Sequence, residues 1–420
     1  MQRKHLCSAI TILIITTTVL MAATQKSKNQ QFTILKIKTA KGEPTENQTL
    51  IINVNNYTGT DQEKIQKALN SVPPEGATVY IPEGTWVAYN LTAKSKTIIM
   101  GSGKTTIKRP ANTTLPFITF VNASNFAIIN ITFDGQNITD ATGIYITNSI
   151  NFLIFNNTFK DISRNALRIT GQSKNFTIKN NTFINTNNAP LIIFGSPGTR
   201  EITNFTITNN LVTNSPENGK IAIAFASDGK VFENTITNSQ YGIGTRGISN
   251  IIIENNTITN CTSYGIYLGT QPADPGSWNI TIANNQITNN KIGISRYYGS
   301  EQVKDVKIIN NQITNNMEYD IQADFQATII NNTFTSKQKI KIIIPPTDFL
   351  NNKDPQGKTI MPADINNDGK VDAKDIGTIA SLFGATPETQ KWNQTCDIIQ
   401  NDIIDSKDLA FACKYFGKTC

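Results

Sequence analysis

Ile154-Phe155-Asn156-Asn157-Thr158-Phe159 returns 24 residues later as Ile178-Lys179-Asn180-Asn181-Thr182-Phe183. The pattern is an apolar residue, a variable one, Asn-Asn, one more residue and an apolar one. It recurs as Ile207-Thr208-Asn209-Asn210-Leu211-Val212 and Ile253-Glu254-Asn255-Asn256-Thr257-Ile258. Later copies carry Asn284-Asn285, Asn310-Asn311 and Asn331-Asn332, and Glu233 takes the place of the first Asn in the copy at 231–236. The second Asn falls at 157, 181, 210, 234, 256, 285, 311 and 332, at intervals of 21 to 29 residues with a mean of 25. A period in the twenties means stacked coils. Leucine-rich repeats share that length but need Leu at fixed positions, and none recur here.

Each unit offers short runs of Ile, Val, Phe and Thr separated by Asn, Gly or Ser, which read as strands. A second run recurs midway: Gly143-Ile144-Tyr145-Ile146, Ala166-Leu167-Arg168-Ile169, Gly265-Ile266-Tyr267-Leu268 and Gly293-Ile294-Ser295-Arg296. Period-2 alternation sends Ile144 and Ile146 inward and Tyr145 outward. Three strands and three turns per unit predict a mainly β chain, a single-stranded parallel β-helix with coils about 4.8 Å apart. Ile154, Ile178, Ile207, Val231, Ile253, Ile282, Ile308 and Ile329 then form one interior column. The recurrent Asn forms a ladder, with Asn156, Asn180 and Asn255 expected inside and Glu233 expected to bulge outward or pair with a lysine.

The 420 residues are 38% hydrophobic and 16% charged, so the chain can build a large core and is not disordered. Its one histidine, His5, sits at the extreme N-terminus, which excludes Ser-His-Asp hydrolysis and His-ligated zinc. Arg3, Lys4 and His5 followed by an apolar run ending at Ala22-Ala23 read as an export signal over 1–23. A membrane is a partner only if that segment stays uncleaved; otherwise the protein is secreted or held at the cell surface. Export makes a disulfide among Cys396, Cys413 and Cys420 expected, with the pair left open. Sixteen N-x-[ST] sequons make glycosylation of exposed sites possible. Gly101-Ser102-Gly103-Lys104-Thr105 lacks the first Gly of a phosphate-binding loop, since Ile98 stands there, and reads as a turn. No nucleic-acid partner is expected.

The repeats resemble the right-handed parallel β-helix superfamily of pectate lyases and related polysaccharide-active proteins. The segment before them is similar too: Thr60-Asp61-Gln62-Glu63 is a capping box opening a helix over 61–70, followed by Val79-Tyr80-Ile81-Pro82-Glu83-Gly84-Thr85-Trp86. The resemblance spans 51–344, after an N-terminal extension at 24–50. It implies a polysaccharide lying along an outward strand face that shows Tyr145, Arg168, Tyr267 and Ser295, with Arg246 and Tyr297 further along. There aromatics stack on sugar rings and Arg forks onto carboxylates. Arg168 is the candidate base of a lyase, with Asp161 or a bound Ca²⁺ neutralising the uronate and Arg246 as a further candidate. The paired-Asp, Asn-Thr-Asp and Gly-His-Gly motifs of polygalacturonases are absent, and so is the Arg-Pro-rich signature of pectate lyases. A carbohydrate-active enzyme and a non-catalytic adhesin or glycan binder both remain open.

Residues 345–363 read as a linker to a module at 364–420. There Asp364, Asn366, Asp368, Asp372 and Asp375 fall at positions 1, 3, 5, 9 and 12 of a Ca²⁺ loop, with Gly369 at position 6 and the Lys370 carbonyl at position 7. A second copy offers Asp397, Asn401, the Ile403 carbonyl, Asp405 and Asp408, but has Ile399 at position 3 and Asp402 in place of Gly. Two such loops, with helices ending in Phe383-Gly384 and Phe416-Gly417, resemble a dockerin, a small α-helical Ca²⁺-binding domain. The resemblance implies a cohesin-like protein domain as partner. The module carries net charge −3 and the mature remainder +8, a balance that suits a polyanionic glycan.

Overall fold

The computed structural model describes residues 50–271, 274–297 and 302–419, with Tyr297 described in its backbone only. The export segment, the extension before Leu50 and Cys420 lie outside these residues. The chain winds into a parallel β-helix whose coils each lay down a strand on a first, a second and a third face. Every strand pairs in parallel with its counterparts one coil away. The first two faces join in a 22-stranded sheet, because the long strands Thr97–Lys108 and Ser124–Asp134 run through the bend between them. The third face is a sheet of 11 strands.

Sequence and register agree on the core. Ile154, Ile178, Ile207, Val231, Ile253, Ile282, Ile308 and Ile329 are successive partners on the first face, and each is 0% exposed. Phenylalanines stack beside them: Phe126, Phe152, Phe176 and Phe205 have successive ring centroids 4.9, 4.7 and 5.7 Å apart. Such stacks add about 0.5–1.5 kcal/mol per pair beyond burial. The stack ends at Gly229, where a Cβ would stand 2.1 Å from the Phe205 ring.

The column does not stop at Ile344. Phe349, in the strand Asp348–Leu350, pairs with Ile329, and Asn352 supplies a further rung, so part of the expected linker is coil. The prolines at 345 and 346 interrupt only the turn.

The buried ladder runs through the second Asn of each pair, not the first. Asn157, Asn181, Asn210, Asn234, Asn256, Asn285, Asn311, Asn332 and Asn352 are at most 2% exposed. Each Oδ1 accepts the backbone N–H of the rung in the preceding coil, as in Asn157 N–H to Asn181 at 3.0 Å. Its Nδ2 donates to a carbonyl of that coil, as in Asn181 to Ile154 at 2.9 Å. The first Asn makes the bend between first and second faces: Asn156, Asn180 and Asn255 have φ of 53°, 58° and 53° and exposed side chains, contrary to expectation. Asn tolerates this left-handed conformation better than most residues. Glu233 adopts it too, at φ 55°, so it is a substituted bend residue and the ladder passes beneath it unbroken.

Both ends of the coil are covered. Helix α1 (Asp61–Asn70) starts with the expected capping box and buries Ile65, Ala68 and Leu69. At the other end sit α2 (Ala373–Ser381) and α3 (Ser406–Lys414), each begun by an Asp–Asp capping box, Asp372/Asp375 and Asp405/Asp408. Each loop bonds the segment after the other's helix: Val371 N–H to Lys418 O at 3.0 Å and Gly384 N–H to Ile404 O at 2.8 Å. The module is joined to the coil by the Ile342–Ile399 bridge, Gln400 N–H to Ile342 O at 2.8 Å, and Phe349 N–H to the Tyr415 hydroxyl at 2.8 Å. Cys396 and Cys413 carry free thiols, so the expected disulfide does not join them. Among the described residues, no helix is long and apolar enough to cross a membrane.

Candidate functional site

Register on the third face places the outward residues in one column: Thr119, Tyr145, Arg168, Ile192, Ala222, Gly244, Tyr267 and Ser295. Arg246 lies two residues along the strand from Gly244, in the row with Gly269 and Tyr297; the Tyr297 side chain is outside the described residues. Tyr145 and Arg168 are neighbours in adjacent coils. Tyr267 is five register steps from Tyr145, about 24 Å at the strand spacing. The expected single patch is therefore two.

In the first patch the Tyr145 hydroxyl accepts from Thr170 Oγ1 at 3.1 Å, which holds the ring along the face. Arg168 is half-buried, its Nε is buried without a hydrogen bond, and among the described residues no carboxylate pairs with it. Asp161, expected to act with Arg168 by neutralising the uronate, lies on a strand of a different face. Asp161 lies next to the end of the second-face strand Thr158–Ile162 at φ 55° and accepts from Asn185 Nδ2 at 3.1 Å, so it belongs to an outer side-chain ladder.

The second patch differs from expectation in its arginine. Arg246 Nε and one terminal nitrogen fork onto Asp274 at 2.7 and 2.8 Å, and that terminal nitrogen also donates to Gln271 at 2.7 Å. The Asp274 side chain is 2% exposed, so this fork is committed within the protein. Arg296 is likewise paired, with Asp324 at 3.6 Å. Burial pushes the Asp324 carboxyl up despite the Arg296 charge. Ser295 is fully buried and donates to the Arg296 carbonyl, so it offers nothing to a ligand.

Tyr267 lies against the bare backbone of Gly244, where a Cβ would be 2.3 Å from the ring. It meets Tyr241 edge-on at 5.3 Å, and Tyr241 stacks on Tyr264 at 6.1 Å. The Lys220 amine sits 4.9 Å from the Tyr241 ring centre and donates to both oxygens of Asn218. Burial lowers its pKa to about 8. Sequence reasoning missed Tyr241, Tyr264 and Lys220; the alignment of Tyr241 with Tyr264 by coil was the available signal.

In the C-terminal loops, Asp364 and Asp375 are 5% and 0% exposed. Asp375 accepts the N–H groups of Ile365, Asn366 and Asp372, and Asp364 those of Asp368 and Gly369. Buried carboxylates held only by amides keep free lone pairs, the donor chemistry a hard cation takes. Among the described residues, no three His, Cys, Asp or Glu side chains converge on a metal position. The second loop repeats the pattern, Asp408 accepting from Ile399 and Asp405, and Asp397 from Asn401 and Asp402. Its turn is preserved, with Asp402 at φ 63° where Gly369 has 88°. Ile399, at position 3, is 0% exposed and bridges to the coil instead.

The sequence matches the family model "Right handed beta helix region" over residues 203–335 and "Periplasmic copper-binding protein (NosD)" over 78–251. The described residues hold no histidine and no converging metal cluster, so they do not fit a copper site. No curated protein is significantly similar in sequence. An exopolygalacturonase from Thermotoga maritima superposes with TM-score 0.59 at 12% identity, over 72% of this chain and 91% of that one. PfbA, a surface adhesin of Streptococcus pneumoniae, gives 0.58 at 19% identity, over 73% and 91%. The A-module of the mannuronan C-5 epimerase AlgE6 from Azotobacter vinelandii gives 0.53 at 16%, over 72% and 93%. The chain is thus a right-handed parallel β-helix, similar in fold to polysaccharide-acting enzymes and to an adhesin.

Proposed function

We propose that this is an exported or cell-surface glycan-binding protein that takes an anionic polysaccharide on its third face, through Arg168 and Tyr145. The observation that carries the reading is the uncommitted Arg168 guanidinium beside an aromatic ring, on a face where Arg246 and Arg296 are already paired. A guanidinium fork matches a uronate carboxylate, and an adjacent ring matches a sugar face. Binding is favoured over hydrolysis because none of these carboxylates is free beside Arg168: Asp274 is engaged by Arg246, Asp324 by Arg296, Asp161 by Asn185, and Asp320 by Asn316 and the Thr335 N–H. The polyuronate-related names among the similar folds support that ligand class.

The dockerin-like module, in this reading, holds Ca²⁺ through Asp364, Asn366, Asp368, the Lys370 carbonyl, Asp372 and Asp375, and a cohesin-like domain is its partner. The ion would neutralise the buried carboxylates and fix the loop.

Retention on immobilised polygalacturonate and alginate tests the glycan reading. Exposed charge pairs are screened within about 8 Å at physiological ionic strength, so retention should fall as salt rises. It should fall at least tenfold further in Arg168→Ala. Equal retention of wild type and variant would return Arg168 to the solvated surface.

A further inference from the structure

The first face carries an outer side-chain ladder of its own. Asn151 donates to Asn125, Asn175 to Asn151 and Asn204 to Asn175, at 3.2, 3.1 and 2.7 Å. After a break it resumes, Asn250 donating to Asp228 and Asn279 to Asn250 at 2.9 and 2.8 Å. The next residue in line is Asp305, which has the same left-handed bend, φ 54°. A carboxylate cannot donate, so the Asn279 Oδ1 gains no partner from the coil above. Asp305 in turn receives no hydrogen bond, because the following coil offers Gln326 in place of Asn. Asp228 breaks the column in the same way, but Asn250 and Ser227 Oγ occupy its carboxylate. Only at Asp305, among the described residues of this column, are two adjacent acceptors left unmet.

Those side chains are exposed and border a shallow, open cleft: two hollows of about 460 and 340 Å³ share Asp305. One is lined by Trp278, Gln302 and Lys304, the other by Asn279, Lys307 and Thr328. The Trp278 ring is fixed from one side by the Arg200 guanidinium, 3.7 Å from its centre, and Arg200 is itself tied to the Gly276 carbonyl. An immobilised indole beside unmet acceptors, with amide and ammonium donors around them, matches a pyranose: apolar face on the ring, hydroxyls donating to the carboxylate and amide oxygen. A uronate carboxylate set against Asp305 would be repelled, so the ring held there by its hydroxyls is an uncharged one. Volumes in this range suit a short ligand.

We propose that this cleft on the first face is a second glycan subsite, for an uncharged oligosaccharide, with Trp278 as platform and Asp305 with Asn279 as hydroxyl acceptors. It lies on a different face from Arg168 and rests on the carbohydrate-binding reading of the protein, not on the ligand assigned to the third face.

The test uses the full chain with neutral hexasaccharides of glucose, galactose, mannose and xylose, and with hexagalacturonate, followed by saturation-transfer NMR and calorimetry. At least one neutral hexasaccharide should bind wild type and Arg168→Ala alike, and weaken at least tenfold in Trp278→Ala and Asp305→Asn. Asp305→Asn is the decisive variant, because its amide can donate to Asn279 and restore the ladder. It should melt at or above the wild-type temperature while losing the sugar. Absence of neutral binding, or equal binding to Asp305→Asn, overturns the proposal. Binding of hexagalacturonate alone, lost only in Arg168→Ala, overturns it too while leaving the third-face reading intact.

Discussion

Replacing Asn256 by Ala removes a rung at mid-coil. Its Oδ1 accepts the Asn234 N–H at 2.9 Å and Nδ2 at 3.0 Å, and its own Nδ2 donates to Val231 O, Glu254 O and Asn285 Oδ1 at 2.9, 3.0 and 3.0 Å. The site is 1% exposed, so the Asn234 N–H and the Val231 carbonyl lose a partner where water does not replace it. At about 1–3 kcal/mol for each of the two buried groups left unpaired, the change should cost about 2–6 kcal/mol. Asn255→Ala, one residue earlier, only puts Ala in a left-handed conformation at the surface, worth roughly 1–2 kcal/mol, and Asn255→Gly should be near neutral. Denaturant midpoints order the three variants. Amide exchange at Asn234 gives a local readout, since its protection should fall in Asn256→Ala alone. If Asn255→Ala is the costlier change, or Asn234 stays protected without Asn256, the ladder runs through the other Asn and the assignment fails.

Calcium added to the metal-free chain should give calorimetric heat for at least one site and raise the melting temperature. At a hundredfold excess over Kd the gain is about 2.7 kcal/mol, and Asp375→Asn should remove one site from the titration; an unchanged number of sites refutes the first loop as a site. Lys220 keeps its proton in the unfolded chain to about 10.4 but gives it up near 8 when folded, so stability should rise as pH climbs through that window. Lys220→Met should be more stable than wild type at pH 7 and flatten the rise; parallel pH profiles would remove the burial argument. Peptide-mapped thiol labelling should modify exposed Cys413 in the native protein, and Cys261 and Cys396 only after unfolding. The Cys261 thiol, pushed up to about 12 by burial, should be slowest, and rapid native labelling there would contradict the packing.

The period and the inward column were legible because they depend on one repeated choice, an Ile at each coil, that register alone converts into contact. The rung was misplaced by one residue because both members of Asn-Asn are polar and adjacent, and only the sign of φ separates them. The added coil was signalled by Asn351-Asn352, which continues the spacing from Asn332 but stands beyond two prolines. The pairing of Arg246 with Asp274 was not legible: the carboxylate comes from a loop 28 residues onward, outside the repeated strand pattern. Arg168 read correctly as an outward arginine for the opposite reason, since alternation within its own strand decides it.

The C-terminal module meets the coil through main-chain bonds at Ile342 and Phe349, not through a slack tether. Anything that grips the module therefore grips a rod. A load applied at that end is shared by backbone bonds along successive coils, and under the proposed function the angle at which either face would meet a glycan follows from how the module is held. Reach is not gained by a swinging joint at that junction.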